Sequence, residues 1–356
     1  MYPLLFAPNL HTVIWGGDQL AAWKQMPPQQ NVGESWEVSA VPSSPSIIAN
    51  GEWAGRSLID VISQMPEDIL GHQVAKQYGN QLPLLVKFID ARNDLSIQVH
   101  PDDAMASREH GKMGKTEMWY VIDARPGAYL YAGFKDQLTP EQYKQKVADG
   151  TIIDALARHE VHTGDVFYLP AGRVHAICGG ILLAEVQQSS DVTYRIFDYN
   201  RPGLDGRPRQ LHTELAAQAL DFTVYDEYRT LYQKKEKLSS SYAGHVIDSP
   251  FFNVRVVDID RRFHRNLIKY DSFIITMCIK GGCRIRIRST HEEVVLREGN
   301  SCLIPASIAD YDIEPVSTSS HTSGSGSHSL LLDAFINNKD QSLLHKVTRF
   351  LHITNK

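Results

Sequence analysis

The chain has 356 residues, of which 42% are hydrophobic and 22% charged, with a formal net charge of −5. That length admits two domains with ordinary hydrophobic cores, and the composition is that of a soluble globular protein. The acidic balance, with no run of Lys or Arg, excludes a basic footprint for nucleic acid or an anionic membrane surface, but leaves room for a small anion met by local basic residues.

No stretch approaches the roughly 20 apolar residues of a membrane span. Residues 1–15 lack a basic start and a continuous apolar core, so no targeting signal is expected. The four cysteines, Cys178, Cys278, Cys283 and Cys302, form no CxxC pair. Sparse spacing of this kind reads as reduced thiols in a cytoplasmic protein.

In chain order, residues 1–56 read as short strands and turns, with Gly and Trp flanking acidic residues in Trp15-Gly16-Gly17 and Glu34-Ser35-Trp36-Glu37. Residues 57–78 read as helical. Ser57 can cap, Asp60 completes a capping box, and Pro66 restarts the helix. Strands are predicted over 84–89, 95–100 and 117–122. Residues 135–160 interrupt the β pattern with a helical insert, opened by the Thr139 cap, Pro140 and Gln142. Strand and turn texture returns over 162–199, and one more helix is expected over 210–220.

The charged and Ser-rich stretch 234–241 is the expected linker between a first domain, 1–234, and a second, 242–356. The second is again made of short strands. It is broken by a Ser/Gly/Thr-rich loop over 317–329.

Within the strand over 95–100, residues i and i+2 share a face. Leu95, Ile97 and Val99 would pack one way, and Ser96, Gln98 and His100 the other. An amide oxygen and an imidazole side by side make half of a metal site.

The stretch Gly164 to His175 has the form G-x5-P-x-G-x-x-H, in which the glycines permit tight turns and Pro170 forces an extended entry. The layout returns 135 residues later at Gly299 and Pro305-Ala306, with Asp310 in the place of His175 and Ser307 in that of Gly172. The second copy keeps the turn and loses the ligand.

This motif resembles the second motif of the cupin superfamily. Joined to Gln98, His100, Lys115, Glu117 and the segment Tyr194-Arg195-Ile196-Phe197-Asp198, the chain closely resembles the type I phosphomannose isomerases over most of residues 1–210. The resemblance implies a mainly β fold of two cupin-type jelly-roll or β-barrel units, the first carrying the helical insert and the metal, the second metal-free. It implies zinc ligands at Gln98, His100, Glu117 and His175, one ion per chain, a set that Mn2+ or Fe2+ also suits. It places Ser96, Glu185 and Asp191 in contact with substrate, and Lys115 and Arg195 in catalysis.

The implied reaction is the interconversion of mannose 6-phosphate and fructose 6-phosphate through a cis-enediol. A base takes the C2 proton, which leaves Lys115, Glu185 and a water of the metal site as candidates. Arg195 suits the developing negative charge. Two rivals stay open: a cupin isomerase for another phosphosugar, and a sugar-sensing cupin that binds without turnover. No nucleic-acid or membrane partner is expected.

Overall fold

The computed structural model describes residues 1–232, 241–316 and 328–337. The chain forms two compact units. One comprises Pro8–Glu37 and Leu84–Leu231. The other comprises Met1–Ala7, Val38–Pro83 and the described residues from Tyr232 onward. This differs from the linear division expected near residues 234–242, because residues 1–7 and 38–83 leave the first unit for the second. Nearly all of the expected linker and most of the 317–329 loop lie outside the described residues.

Each unit is built from antiparallel strands. In the unit of Pro8–Glu37 and Leu84–Leu231, a six-stranded sheet runs in the order Leu10–Gly17, Val32–Val38, Leu84–Ala91, Ile181–Gln188, Glu117–Ala124 and Val166–Leu169. A five-stranded sheet runs in the order Tyr194–Phe197, Ile97–Val99, His175–Ile177, Tyr129–Phe134 and Leu156–Glu160. Neither closes into a barrel.

Two cores follow from strand alternation. Ile89, Trp119, Val121 and Leu183 of the larger sheet pack with Leu130, Ala132 and Ile177 of the smaller one. Ile97, Val99, Tyr194 and Ile196 pack with Phe134 and Tyr143 in a second cluster. Leu95 belongs to the first cluster and not, as the alternation suggested, with Ile97 and Val99. The reason is that the strand begins only at Ile97, so the alternation does not extend back to Leu95.

The helical insert is present as Pro140–Ala148 and a 3-10 turn at Ile152–Ala155. Thr139 Oγ1 accepts from Gln142 N, and Gln142 Oε1 accepts in return from Thr139 N, which closes the capping box. The predicted last helix is Thr213–Ala219. Asp103–His110, which the alternation did not announce, is a helix capped by Asp102, whose side chain accepts from Met105 N, and ended by Gly111 in the left-handed region.

In the other unit, the predicted helix over 57–78 is three short helices, Leu58–Gln64, Pro66–Leu70 and His72–Tyr78. Pro66 restarts the helix as expected, and Gly71, at φ +96°, breaks it again. Ser57 Oγ accepts from Ile59 N, so the cap forms one residue short of the capping-box geometry expected with Asp60.

A six-stranded and a four-stranded sheet in this unit enclose a core of Val257, Ile285, Leu296, Tyr311 and Leu331. Asp310, in the place of His175, is exposed and is bonded to His264 Nε2 at 2.6 Å.

No helix of the described residues is long and apolar enough to cross a membrane.

Candidate active site

The G-x5-P-x-G-x-x-H stretch folds as its residues require. Gly164 and Gly172 take φ +82° and +89°, a region costly to residues with a Cβ. Gly172 N donates to His100 O at 2.9 Å, which ties the turn to the neighbouring strand. The turn delivers His175 as the first residue of His175–Ile177.

Register then decides which side chains meet. His175 lies directly opposite Gln98, and Gln98 lies directly opposite Arg195 on its other side. Directly opposed residues share a face, so His175, Gln98 and Arg195 form one row across three strands. His100 follows the end of the Gln98 strand and is buried.

From the larger sheet comes Glu117, fully buried. Glu117 Oε1 lies 3.3 Å from His175 Nε2, and Oε2 lies 3.3 Å from His100 Nε2. His100, Glu117 and His175 are the metal-type cluster found among the described residues.

The protonation pattern of this cluster is set by its surroundings. His100 Nδ1 donates to Val192 O at 3.0 Å, and His175 Nδ1 to Arg173 O at 2.8 Å. Both imidazoles thus turn the lone pair of Nε2 towards Glu117, the arrangement usual for metal-binding histidines. Burial and the Lys115 ammonium push His100 down to about 3, and burial also lowers His175, so both rings are neutral near pH 7. Burial would raise the Glu117 carboxyl, but the charge of Lys115 outweighs it and holds it well below its usual range.

Four lone-pair atoms therefore converge in a buried space. Glu117 Oε1, Glu117 Oε2 and His175 Nε2 have no hydrogen-bond partner. Lys115 Nζ, itself buried, lies 2.9 Å from Glu117 Oε2 and 3.0 Å from His100 Nε2, as an ion pair outside good hydrogen-bond alignment with the carboxylate. Orphaned acceptors of this kind are costly unless a cation completes them. The residues fit a divalent metal ion. Gln98, half-buried on the row with His175, makes no side-chain hydrogen bond and offers an amide oxygen to the same place.

A second polar row lines the larger sheet. Lys87, Glu185 and Trp119 are directly opposed on three adjacent strands. Lys87 Nζ lies 3.2 Å from Glu34 Oε2 and 3.5 Å from Glu185 Oε1, and Trp119 Nε1 donates to Glu185 Oε2 at 2.9 Å. Trp119 packs edge-on against the His175 ring. Burial and the charge of Glu117 raise the Glu185 carboxyl, and its Oε1 accepts no hydrogen bond.

Lys87 and Glu34 were not singled out from sequence. The signal available was one lysine inside the apolar run Leu84-Leu85-Val86-Lys87-Phe88-Ile89. Alternation also sorts Glu34-Ser35-Trp36-Glu37 between two faces. Glu34 accepts from Trp36 Nε1 on one, and Glu37 pairs with Lys24 and Ser35 on the other.

The remaining predicted residues are less tightly gathered. Ser96 is buried just before the strand, without a side-chain hydrogen bond. Arg195 is half-buried; its Nη1 donates to Gln210 O at 2.9 Å and its Nε is buried without a partner. Asp191 stands apart from the cluster. It is exposed and paired with Lys112 at a cleft of about 340 Å3 lined by His110, Tyr194 and His212. Its link to the cluster is through the next residue, Val192, whose carbonyl fixes His100.

Comparison with known proteins matches this geometry to a family. Residues 4–129 match the model of the phosphomannose isomerase type I catalytic domain, and residues 243–318 that of the mannose-6-phosphate isomerase cupin domain. The chain is 35% identical to the "Probable mannose-6-phosphate isomerase GmuF" of Bacillus subtilis, over 88% of this chain and 96% of that protein. It is 33% identical to the mannose-6-phosphate isomerase of Streptococcus mutans, over 88% and 95%.

The chain belongs to the type I phosphomannose isomerases. Its fold agrees with a crystal structure of the mannose 6-phosphate isomerase from Bacillus subtilis, with a TM-score of 0.82 at 29% identity, over 94% of this chain and 100% of that one. A type I phosphomannose isomerase is a metal-dependent aldose–ketose isomerase, and the buried His/Glu cluster is the place in this chain that suits the metal.

Proposed function

We propose that this chain interconverts mannose 6-phosphate and fructose 6-phosphate through a cis-enediol, with one zinc ion held by Gln98, His100, Glu117 and His175. The observation that carries the reading is the buried convergence of Glu117 Oε1, Glu117 Oε2 and His175 Nε2 without hydrogen-bond partners. Two imidazoles and a carboxylate are ordinary zinc ligands, and the same set accommodates Mn2+ or Fe2+. When bound, the ion supplies Lewis-acid stabilisation of charge on the sugar oxygens without redox chemistry.

The chain's own residues supply the proton movements. The C2 proton must be taken and a proton returned to C1 on the same face. Lys115 is the proton carrier in this reading, because its Nζ lies within 3.0 Å of His100 Nε2 and of Glu117 Oε2, and as the free amine it takes the C2 proton and returns it to C1. Glu185 is the second group able to accept a proton, through Oε1, which accepts no hydrogen bond. Arg195, in line with Gln98, stabilises the enediolate. Ser96 offers a hydroxyl to the sugar. Asp191 acts at a distance, holding with Lys112 the loop that fixes His100.

In the same reading both units are of cupin type, and only the one bearing His175 takes metal. The exposed position of Asp310 supports this. Four buried free thiols support a cytoplasmic enzyme.

The test is a coupled isomerase assay on purified protein before and after chelation. Metal-dependent turnover of mannose 6-phosphate is expected. No turnover, or full turnover without metal, would refute the reading.

A further inference from the structure

The ring of His175 is oriented through its own turn. Its Nδ1 donates to Arg173 O at 2.8 Å, so the imidazole follows the peptide between Arg173 and Val174. What steadies that peptide comes from elsewhere in the chain. Arg173 is half-buried, and its Nη1 donates to Tyr168 O at 3.0 Å, on the opposite limb of the turn. Its guanidinium carbon lies 4.9 Å from the centre of the Tyr225 ring and 5.1 Å from that of Tyr228. Both distances are those of cation–π contact. The two rings meet edge-on at 5.8 Å, and the guanidinium rests against both.

The rings belong to a strap, residues 221–230, that runs beside the turn. Asp221 N donates to Gly172 O at 2.8 Å, and Thr230 N to Val166 O at 2.8 Å. Thr230 Oγ1 also accepts from Tyr168 N at 3.1 Å. The strap is thus pinned at both ends of residues 166–172. It is braced within itself, since Tyr225 Oη donates to Asp221 Oδ2 at 2.8 Å and Tyr225 N to Tyr228 Oη at 3.1 Å.

Tyr228 carries the brace to the far side of His175. Its Oη donates to Phe134 O at 2.7 Å. Its ring lies on Gly133, where a Cβ would come within 2.0 Å of it. Gly133 follows Ala132, the residue directly opposite His175 on the adjacent strand. Tyr225 is 42% exposed, so burial does not account for its place; its ring is engaged by Arg173 and its hydroxyl by Asp221.

We infer that Arg173, Tyr225 and Tyr228 are positioning residues for the metal ligand His175. The two rings hold the Arg173 side chain, Arg173 steadies its peptide, and the peptide carbonyl turns His175 Nε2 onto the site it shares with Glu117 Oε1. The hydrogen-bond partner of a metal-bound imidazole fixes its tautomer and its aim, so loosening that partner weakens the metal. The inference rests on the reading of the buried His/Glu cluster as a divalent-metal centre.

The test measures zinc affinity of the metal-stripped full chain by competition with a chromogenic chelator. Wild type is compared with Arg173→Met, Tyr225→Ala and Tyr225→Phe. Binding about tenfold to a hundredfold weaker is expected in R173M and Y225A, and binding within about threefold of wild type in Y225F, which keeps the ring. Circular dichroism and melting curves of the stripped proteins check the fold. Truncating the surface residue Tyr225 leaves the core closed, so Y225A carries the test even if R173M misfolds. Wild-type affinity in Y225A, or Y225F as weak as Y225A, would overturn the inference alone. A wild-type chain that binds no zinc would overturn the metal reading and this inference with it.

Discussion

His175 and Gln98 stand directly opposite each other on adjacent antiparallel strands, so one sheet face carries both an imidazole and a free amide oxygen. Glu117 reaches them from the other sheet of the unit, with Oε1 3.3 Å from His175 Nε2. The site is thus a product of register. A slip of one residue would send Gln98 into the core and turn Ile97 and Val99 out of it.

Removing a ligand should remove the metal. His175→Ala and Glu117→Gln are each expected to lose bound metal by elemental analysis and to lower kcat/KM by at least about a hundredfold, since even partners of metal ligands typically cost tenfold to a hundredfold. Variants that keep one ion per chain and near-full activity would show that the cluster is structural.

Lys115→Met separates proton transfer from metal binding. A positioned proton-transfer group contributes about 10²–10⁴-fold. Activity should fall within that range while metal content stays at the wild-type level. Glu185→Gln should fall less if Lys115 is the carrier; the reverse order of losses would assign the proton to Glu185.

The Lys87 row makes a pH-dependent prediction for stability. Burial would raise the Glu34 carboxyl, but Lys87 outweighs it and holds it below its usual range. Despite burial, Glu34 and Glu185 hold the Lys87 ammonium above its own. A depressed carboxyl contributes stability above its unfolded pKa of about 4.3 that is lost as pH falls; a raised lysine contributes below about 10.4 and loses it as pH rises. Both contributions are present at pH 7. Lys87→Met leaves two buried carboxylates unpaired and should cost about 3–5 kcal/mol at pH 7. The deficit should shrink below about pH 4, where the carboxyls protonate. Denaturant melts at the two pH values measure this, and an equal deficit at both would show that Lys87 stabilises through packing alone.

Gly172→Ala tests the turn that presents His175. At φ +89° an added Cβ would meet Ala219 O at 2.9 Å. The left-handed backbone alone costs about 1–2 kcal/mol. The variant should be destabilised by at least that much in denaturant melts and should bind metal more weakly, as His175 shifts. A neutral outcome in both would mean that the turn does not set the ligand.

Much of the site was legible because it is local. Gln98, His100 and the turn before His175 announce themselves through strand alternation and glycine and proline chemistry. What was hidden depends on contacts distant in sequence. Lys87 reads as a lysine in an apolar strand until Glu34 and Glu185 are seen on either side of it. Arg173 meets Tyr225 and Tyr228 only because residues 221–230 return to run beside its turn. Leu95 falls out of the expected alternation because the strand starts two residues later. Residues 38–83 join the unit of the C-terminal strands, which no local pattern reveals.

The most direct measurement is turnover of mannose 6-phosphate by the purified chain, followed through fructose 6-phosphate formation before chelation, after chelation and after zinc is restored. The expected result is activity lost with the metal and regained with it. Absence of fructose 6-phosphate in the metal-loaded protein, or activity indifferent to chelation that demonstrably empties the site, would contradict the assignment.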